Sequence, residues 1–173
     1  MKTLILLRHA EAVELKNGKD IQRPLTQKGR GMAVWVAHQL SKEERYPEFI
    51  LCSSALRTKE TCQLIQDAWA DDCHPQVFFD PAIYSLDVAT AMEMISEQDE
   101  MHDTIMIIGH NPTIHELAAH LCDVTQAPKK IAKLTHGFPP ASCAIIQFDV
   151  QDWNKIRKAK GTLVDFFHPT GSH

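Results

Sequence analysis

The sequence predicts an α/β sandwich, three layers deep, on a mostly parallel sheet with one antiparallel strand. Three observations carry this. Residues 3–7 and 104–108 are continuous apolar runs, the mark of strands covered on both faces. Stretches with apolar residues three and four apart alternate with such runs, as crossover helices do. The length of 173 residues suits one domain, assigned to residues 1–168 with a tail at 169–173.

Each element has its own signal. Residues 3–7 form the first strand. Lys2 and the apolar residues after it resemble a signal peptide, but Arg8, His9 and Glu11 interrupt the run too soon. Residues 11–23 are polar and read as loop. Thr26 caps a helix running to about Leu40, with Met32, Trp35, Val36 and Leu40 on its apolar face. Residues 48–52 form a second strand. A helix comes next over about 55–70, with Ser53 or Ser54 as its cap and Leu64, Ile65, Ala68 and Trp69 as its stripe. Residues 76–79 are a third, weaker strand, 88–96 a helix and 104–108 a strand. Asn111 caps the next helix with Pro112 at its first position, where the missing N–H costs nothing. That helix carries Ile114, Leu117, Ala118 and Leu121. Residues 142–150 and 162–167 are two late strands with no helix-length apolar pattern between them, so an antiparallel element is expected there. The lysine-rich stretches at 129–130 and 155–160 read as solvated faces.

Composition excludes several classes. An apolar content of 44% with 23% charged residues is globular. Eighteen basic against 22 acidic side chains give a charge of −4, which argues against a nucleic-acid partner held by phosphate contacts alone. No apolar run approaches the ~20 residues of a membrane span. The five cysteines form no C-x-x-C pair, which fits reduced thiols in a cytoplasm. Ten histidines raise the question of metal ligation or phosphoryl chemistry. His115 and His120 resemble H-E-x-x-H but are five residues apart, so their rings diverge by ~140° around the helix. They read as helix-surface or supporting residues, and no metal or cofactor is expected.

The polar residues gather where the strands end. Arg8 and His9 come directly after the first strand, Arg57 lies in the first turn after the second, and His110 comes after the strand at 104–108. In an open parallel sheet these carboxyl ends line one crevice. Two arginine forks and helix N-termini suit an anion with several oxygens, most simply a phosphoryl group. No G-x-x-x-x-G-K-[ST] loop is present, so this is not a P-loop site. A neutral histidine among arginines can act as a nucleophile on phosphorus, its second ring nitrogen held protonated by a backbone carbonyl. Taken singly, Arg57 could instead pair with Glu60 at i+3, and His110 could be a core histidine.

At these positions the chain resembles the histidine phosphatase superfamily, the phosphoglycerate-mutase-like fold. Leu6-Leu7-Arg8-His9-Ala10-Glu11 resembles its Arg-His-Gly signature, with alanine at position 10. Arg23-Pro24-Leu25-Thr26-x-x-Gly29, Ser53-Ser54-Ala55-Leu56-Arg57-Thr58-x-x-Thr61 and Ile108-Gly109-His110-Asn111-Pro112 resemble its later segments, in order. The resemblance, closest to the short SixA-type branch, implies a metal-free phosphatase. In it His9 is the phosphorylated nucleophile, and Arg8, Arg57 and His110 hold the phosphoryl group. Arg23 and Asn111 make secondary substrate contacts. The implied substrate is a phosphohistidine in a protein. The alternatives are a small phosphoester or a phosphoserine protein on the same fold, and less so a non-catalytic phosphoryl-binding module or a metal hydrolase. Many members place a carboxylic acid after the third strand. Here that stretch has no clear match, and Asp87, Asp20 and Glu11 are the candidates.

Overall fold

The computed structural model describes residues 1–69, 71 and 73–170. Among these the elements run β1 (Lys2–Arg8), α1 (Gln27–Lys42), β2 (Phe49–Ser53), α2 (Leu56–Ala68), β3 (Gln76–Asp80), α3 (Val88–Ser96), β4 (Thr104–Gly109), α4 (Thr113–Leu121), α5 (Pro128–His136), β5 (Cys143–Phe148) and β6 (Thr162–Phe167). Short 3-10 segments stand at Asp20–Gln22, Pro81–Ser85 and Trp153–Lys158. Ala70, the expected end of the second helix, and residues 171–173 of the expected tail lie outside the described residues.

The strands form one sheet in the order β3-β2-β4-β1-β5-β6. The β3-β2, β2-β4 and β4-β1 pairs are parallel, and β1-β5 and β5-β6 are antiparallel. This is the expected α/β sandwich. Strand alternation explains the continuous apolar runs. Leu4, Leu6, Ile105 and Ile107 point into a core shared with α3 and α4, while Ile5, Leu7, Met106 and Ile108 point into a second core under α1 and α2. A strand buried on both faces has no polar face to alternate with.

Thr26 caps α1 as expected, its Oγ1 accepting from Gly29 N at 2.9 Å. Two expectations are corrected. The N-cap of α2 is Ala55, not Ser53 or Ser54, and no side chain caps it. Ser53 still belongs to β2, and its carbonyl accepts from Thr58 Oγ1. The N-cap of α4 is Pro112, not Asn111, and the helix starts one residue later than expected. The Asn111 side chain turns instead to Phe138 O, donating from Nδ2 at 2.8 Å. The lysines at 129–130 are exposed, as expected of a solvated face, and stand in a helix, α5, of which only Leu134 is buried. One buried residue gives almost no apolar period to read.

Candidate active site

Register brings the site together. Arg8 pairs with Gly109 and Leu7 with Ile108, while Cys52 also pairs with Ile108. Arg8, Ser53 and Gly109 therefore end their strands at one level. His9 and His110 are the next residues along, and Arg57 rises from the first turn of α2. All three are buried, at 7%, 9% and 5% exposure.

Backbone carbonyls and guanidinium groups assign the tautomers, because a carbonyl only accepts and a guanidinium only donates. His9 Nδ1 lies 2.7 Å from Ala10 O, so Nδ1 carries the proton. His9 Nε2 keeps its lone pair and accepts from Arg57 Nε at 3.3 Å. His110 Nδ1 faces Arg57 Nη2 at 3.3 Å, which leaves the proton on Nε2, 2.7 Å from Ser53 Oγ. The two imidazoles stand 5.3 Å apart. Burial, with the charges of Arg57 and Arg8, pushes the His9 pKa down to about 4. Burial, then His9 and Arg57, pushes His110 down to about 3. Both rings are neutral at pH 7.

Arg8 donates from Nη1 to Phe138 O at 3.0 Å, while its buried Nε has no protein acceptor. Burial and the nearby Arg57 lower its pKa. Arg57 does not pair with Glu60, whose carboxylate is taken by Leu25 N and Arg30 Nη2. It binds Asp20 instead, through Nη1 to the main-chain carbonyl at 2.9 Å and Nη2 to Oδ2 at 3.0 Å. Arg23 stands behind Asp20, donating to Asp20 Oδ1 at 3.0 Å and to Val13 O at 2.7 Å. The Asn111 side chain donates to Phe138 O, the same acceptor that Arg8 uses.

Of the three carboxylates expected as acids, Asp87 and Glu11 are engaged elsewhere and Asp20 is held ionised within the site. Asp87 caps α3, accepting from Thr90 N. Glu11 Oε1 accepts from Thr26 Oγ1 at 2.9 Å at the start of α1. Hydrogen bonds from Tyr84 and Arg23, and the charge of Arg57, hold Asp20 far below the usual carboxylate range. It is ionised and accepts protons in no ordinary pH range.

Ala10 adds no strain in place of glycine. The described non-glycine residues with positive φ are Glu44, Ala127 and Ala141. Its N–H donates to Thr61 Oγ1 at 3.1 Å, which ties the His9 turn to α2. Gly29 has a different reason. A Cβ there would lie 2.0 Å from Glu11 O, so the loop over α1 closes only on glycine.

Ser53, Thr61 and Tyr84 also build the site; the first two lie in the motif around Arg57, but the sequence assigns none of the three a role there. Tyr84 donates to Asp20 Oδ2 at 2.5 Å, meets the His110 ring edge-on at 5.4 Å and lies 5.8 Å from the Arg57 guanidinium. Its place in the stretch after β3, where an acid was sought, was the available signal. His115, read as a supporting residue, bonds Leu134 O through Nε2 at 2.7 Å. Among the described residues no group of three or more His, Cys, Asp or Glu side chains could hold a metal ion.

Three cations, one carboxylate and two neutral imidazoles thus share a small region, which is chemistry for a multiply charged oxyanion. Comparison with known proteins points the same way. The family model described as Histidine phosphatase superfamily (branch 1) matches residues 4–80. The chain is 34% identical over 128 residues to an uncharacterised chloroplast protein of Arabidopsis thaliana. That match covers 69% of this chain and 59% of the relative, so the chain spans less than two thirds of the relative's length. A structure from Agrobacterium tumefaciens, provisionally assigned as the phosphohistidine phosphatase SixA, superposes with a TM-score of 0.80 at 25% identity, covering 97% of this chain and 98% of that one. A second such structure, from Nakamurella multipartitia, gives 0.84 at 23% identity, covering 98% and 97%. At that identity the second likeness concerns the fold alone.

Proposed function

We propose, on the premise that the chain belongs to the histidine phosphatase superfamily, that it is a metal-independent phosphatase acting through phospho-His9 on phosphohistidine in a protein. The observation that carries this is the state of His9. Its Nδ1 proton is fixed on Ala10 O, and its Nε2 lone pair faces the cationic side of the site.

In the first step His9 Nε2 attacks phosphorus as the bond from phosphorus to the leaving nitrogen breaks. Arg8 and Arg57 neutralise the charge on the equatorial oxygens, and neutral His110 donates to them the Nε2–H that Ser53 Oγ accepts in the free site. In the second step water attacks phosphorus, the P–N bond to His9 breaks, and orthophosphate leaves. Arg23 and Asn111 act one contact further out, through Asp20 and Phe138 O. The substrate class is supported by the state of the three carboxylates: Asp87 and Glu11 are engaged elsewhere, and Tyr84, Arg23 and Arg57 hold Asp20 ionised. The second ring nitrogen of a phosphohistidine takes a proton from water near neutral pH, and the ring then leaves as neutral imidazole, so it needs less help from an enzyme acid than an alkoxide does. Five unpaired thiols support a cytoplasmic setting, and among the described residues no helix is long and apolar enough to cross a membrane.

The test is a panel of phosphohistidine peptide, phosphoserine peptide and small phosphoesters, with His9→Ala as the control. The phosphohistidine peptide should be turned over fastest, and acid-labile radiolabelled phosphate should appear on the wild type only. Full activity in His9→Ala would remove the mechanism. Preference for a small phosphoester would remove the substrate class and leave the mechanism.

A further inference from the structure

In the free protein, four of the five N–H groups of Arg57 are engaged, including every one on Nε and Nη2 beside the two imidazoles. Nε is on His9, Nη1 is on Asp20 O, and Nη2 is shared between Asp20 Oδ2 and His110 Nδ1. A phosphoryl group approaching His9 Nε2 must take over some of these bonds. The Asp20 carboxylate is the partner able to yield. Its side chain is 49% exposed against 6% for Arg57, so it can turn to water while the guanidinium stays. It is also latched from behind by Tyr84 and Arg23.

We propose that Asp20 is a built-in stand-in for the substrate phosphoryl group, holding Arg57 in place when the site is free and giving it up when a dianionic phosphoryl group binds. This deepens the phosphatase reading and rests on it. The stand-in is the weaker ligand for two reasons. It carries one negative charge where a terminal phosphoryl group carries nearly two at neutral pH. It also makes no hydrogen bond to Arg8, whose bound acceptor is Phe138 O, whereas a three-oxygen group can span both guanidinium groups. The exchange therefore selects terminal phosphoryl groups. A phosphodiester, with one charge, gains little over the carboxylate it must displace. Tyr84 is the latch: it keeps its hydroxyl on Asp20 Oδ2 and its ring against His110 and Arg57. Arg57 stays pre-positioned throughout, because Nη1 rests on the main chain of residue 20 rather than on the carboxylate.

Direct binding of orthophosphate by titration calorimetry at pH 8 tests this without turnover. Asp20→Asn should bind it about tenfold tighter, the scale of one charge-assisted hydrogen bond no longer in competition. That variant also removes a repulsive charge, so Tyr84→Phe decides the mechanism. It keeps the carboxylate and the ring contacts and loses only the latch, and it should bind about two- to fivefold tighter, the scale of one neutral hydrogen bond. Weaker binding in Asp20→Asn would make Asp20 a simple support for Arg57 and overturn the inference. Unchanged or weaker binding in Tyr84→Phe would overturn it as well. If the wild type bound no orthophosphate, the phosphatase reading would fall with it. If the wild type bound and Tyr84→Phe showed no gain, this inference alone would fall.

Discussion

Acidification should unfold this protein largely through its two site histidines. In the folded chain His9 titrates at about 4 and His110 at about 3, against ~6.5 for an unfolded histidine. A group whose folded pKa is depressed adds protons to the unfolded state first. The neutral rings therefore cost nothing above about pH 6.5 and destabilise the fold as pH falls toward the folded values. Between pH 7 and pH 4.5 the unfolded chain binds a proton at each position and the folded chain binds few. Linkage gives about 2 kcal/mol per histidine over that interval, about 4 to 5 kcal/mol for the two. The loss is a large part of an ordinary domain's stability. Urea denaturation at both pH values measures it, in a buffer free of phosphate so that no anion stabilises the folded state. The control is the double variant His9→Gln/His110→Gln, which removes both titrations and leaves the other acidic groups in place. The wild type should lose about 4 kcal/mol more than the control. Equal losses in the two proteins would refute the burial of two neutral imidazoles.

Three further outcomes are expected. Ser53→Ala leaves the buried His110 Nε2–H without its acceptor, which should lower stability by about 1–3 kcal/mol in urea and reduce turnover of the phosphohistidine peptide. Gly29→Ala drives a Cβ to within 2.0 Å of Glu11 O, and the shift needed should cost about 1–3 kcal/mol, read as a lower thermal midpoint. Phosphatase activity should survive excess EDTA, since Arg8 and Arg57 supply the charge that a divalent ion supplies elsewhere; loss on chelation, restored by added metal, would contradict the mechanism.

Much of this protein was legible in the chain itself. The runs at 3–7 and 104–108 announced strands buried on both faces because a two-sided core leaves no polar alternation. Thr26 announced a helix start because its hydroxyl meets an unpaired N–H three residues on. Arg8, His9, Arg57 and His110 could be gathered at one edge because parallel strands all end on the same side of the sheet. These are local signals multiplied by one topological rule. The caps of α2 and α4 were misread for a related reason. Ser53 and Asn111 have capping side chains, but each meets a partner distant in sequence, His110 Nε2 and Phe138 O. A local preference yields when a buried partner offers a bond that must otherwise go unmade.

The rest belongs to the tertiary structure. No spacing places Tyr84 on Asp20, 64 residues away, or Asp20 on Arg57. Asp20 could be named from the sequence as a carboxylate near the site, but not that three donors hold it ionised. The proton positions of His9 and His110 depend on a carbonyl and a guanidinium whose directions only the folded backbone sets. The sequence by itself determined which groups stand at the sheet edge. The fold decided what each one touches, and so its charge, its tautomer and which nitrogen is free to react, because these depend on distances of a few ångströms between segments far apart in the chain.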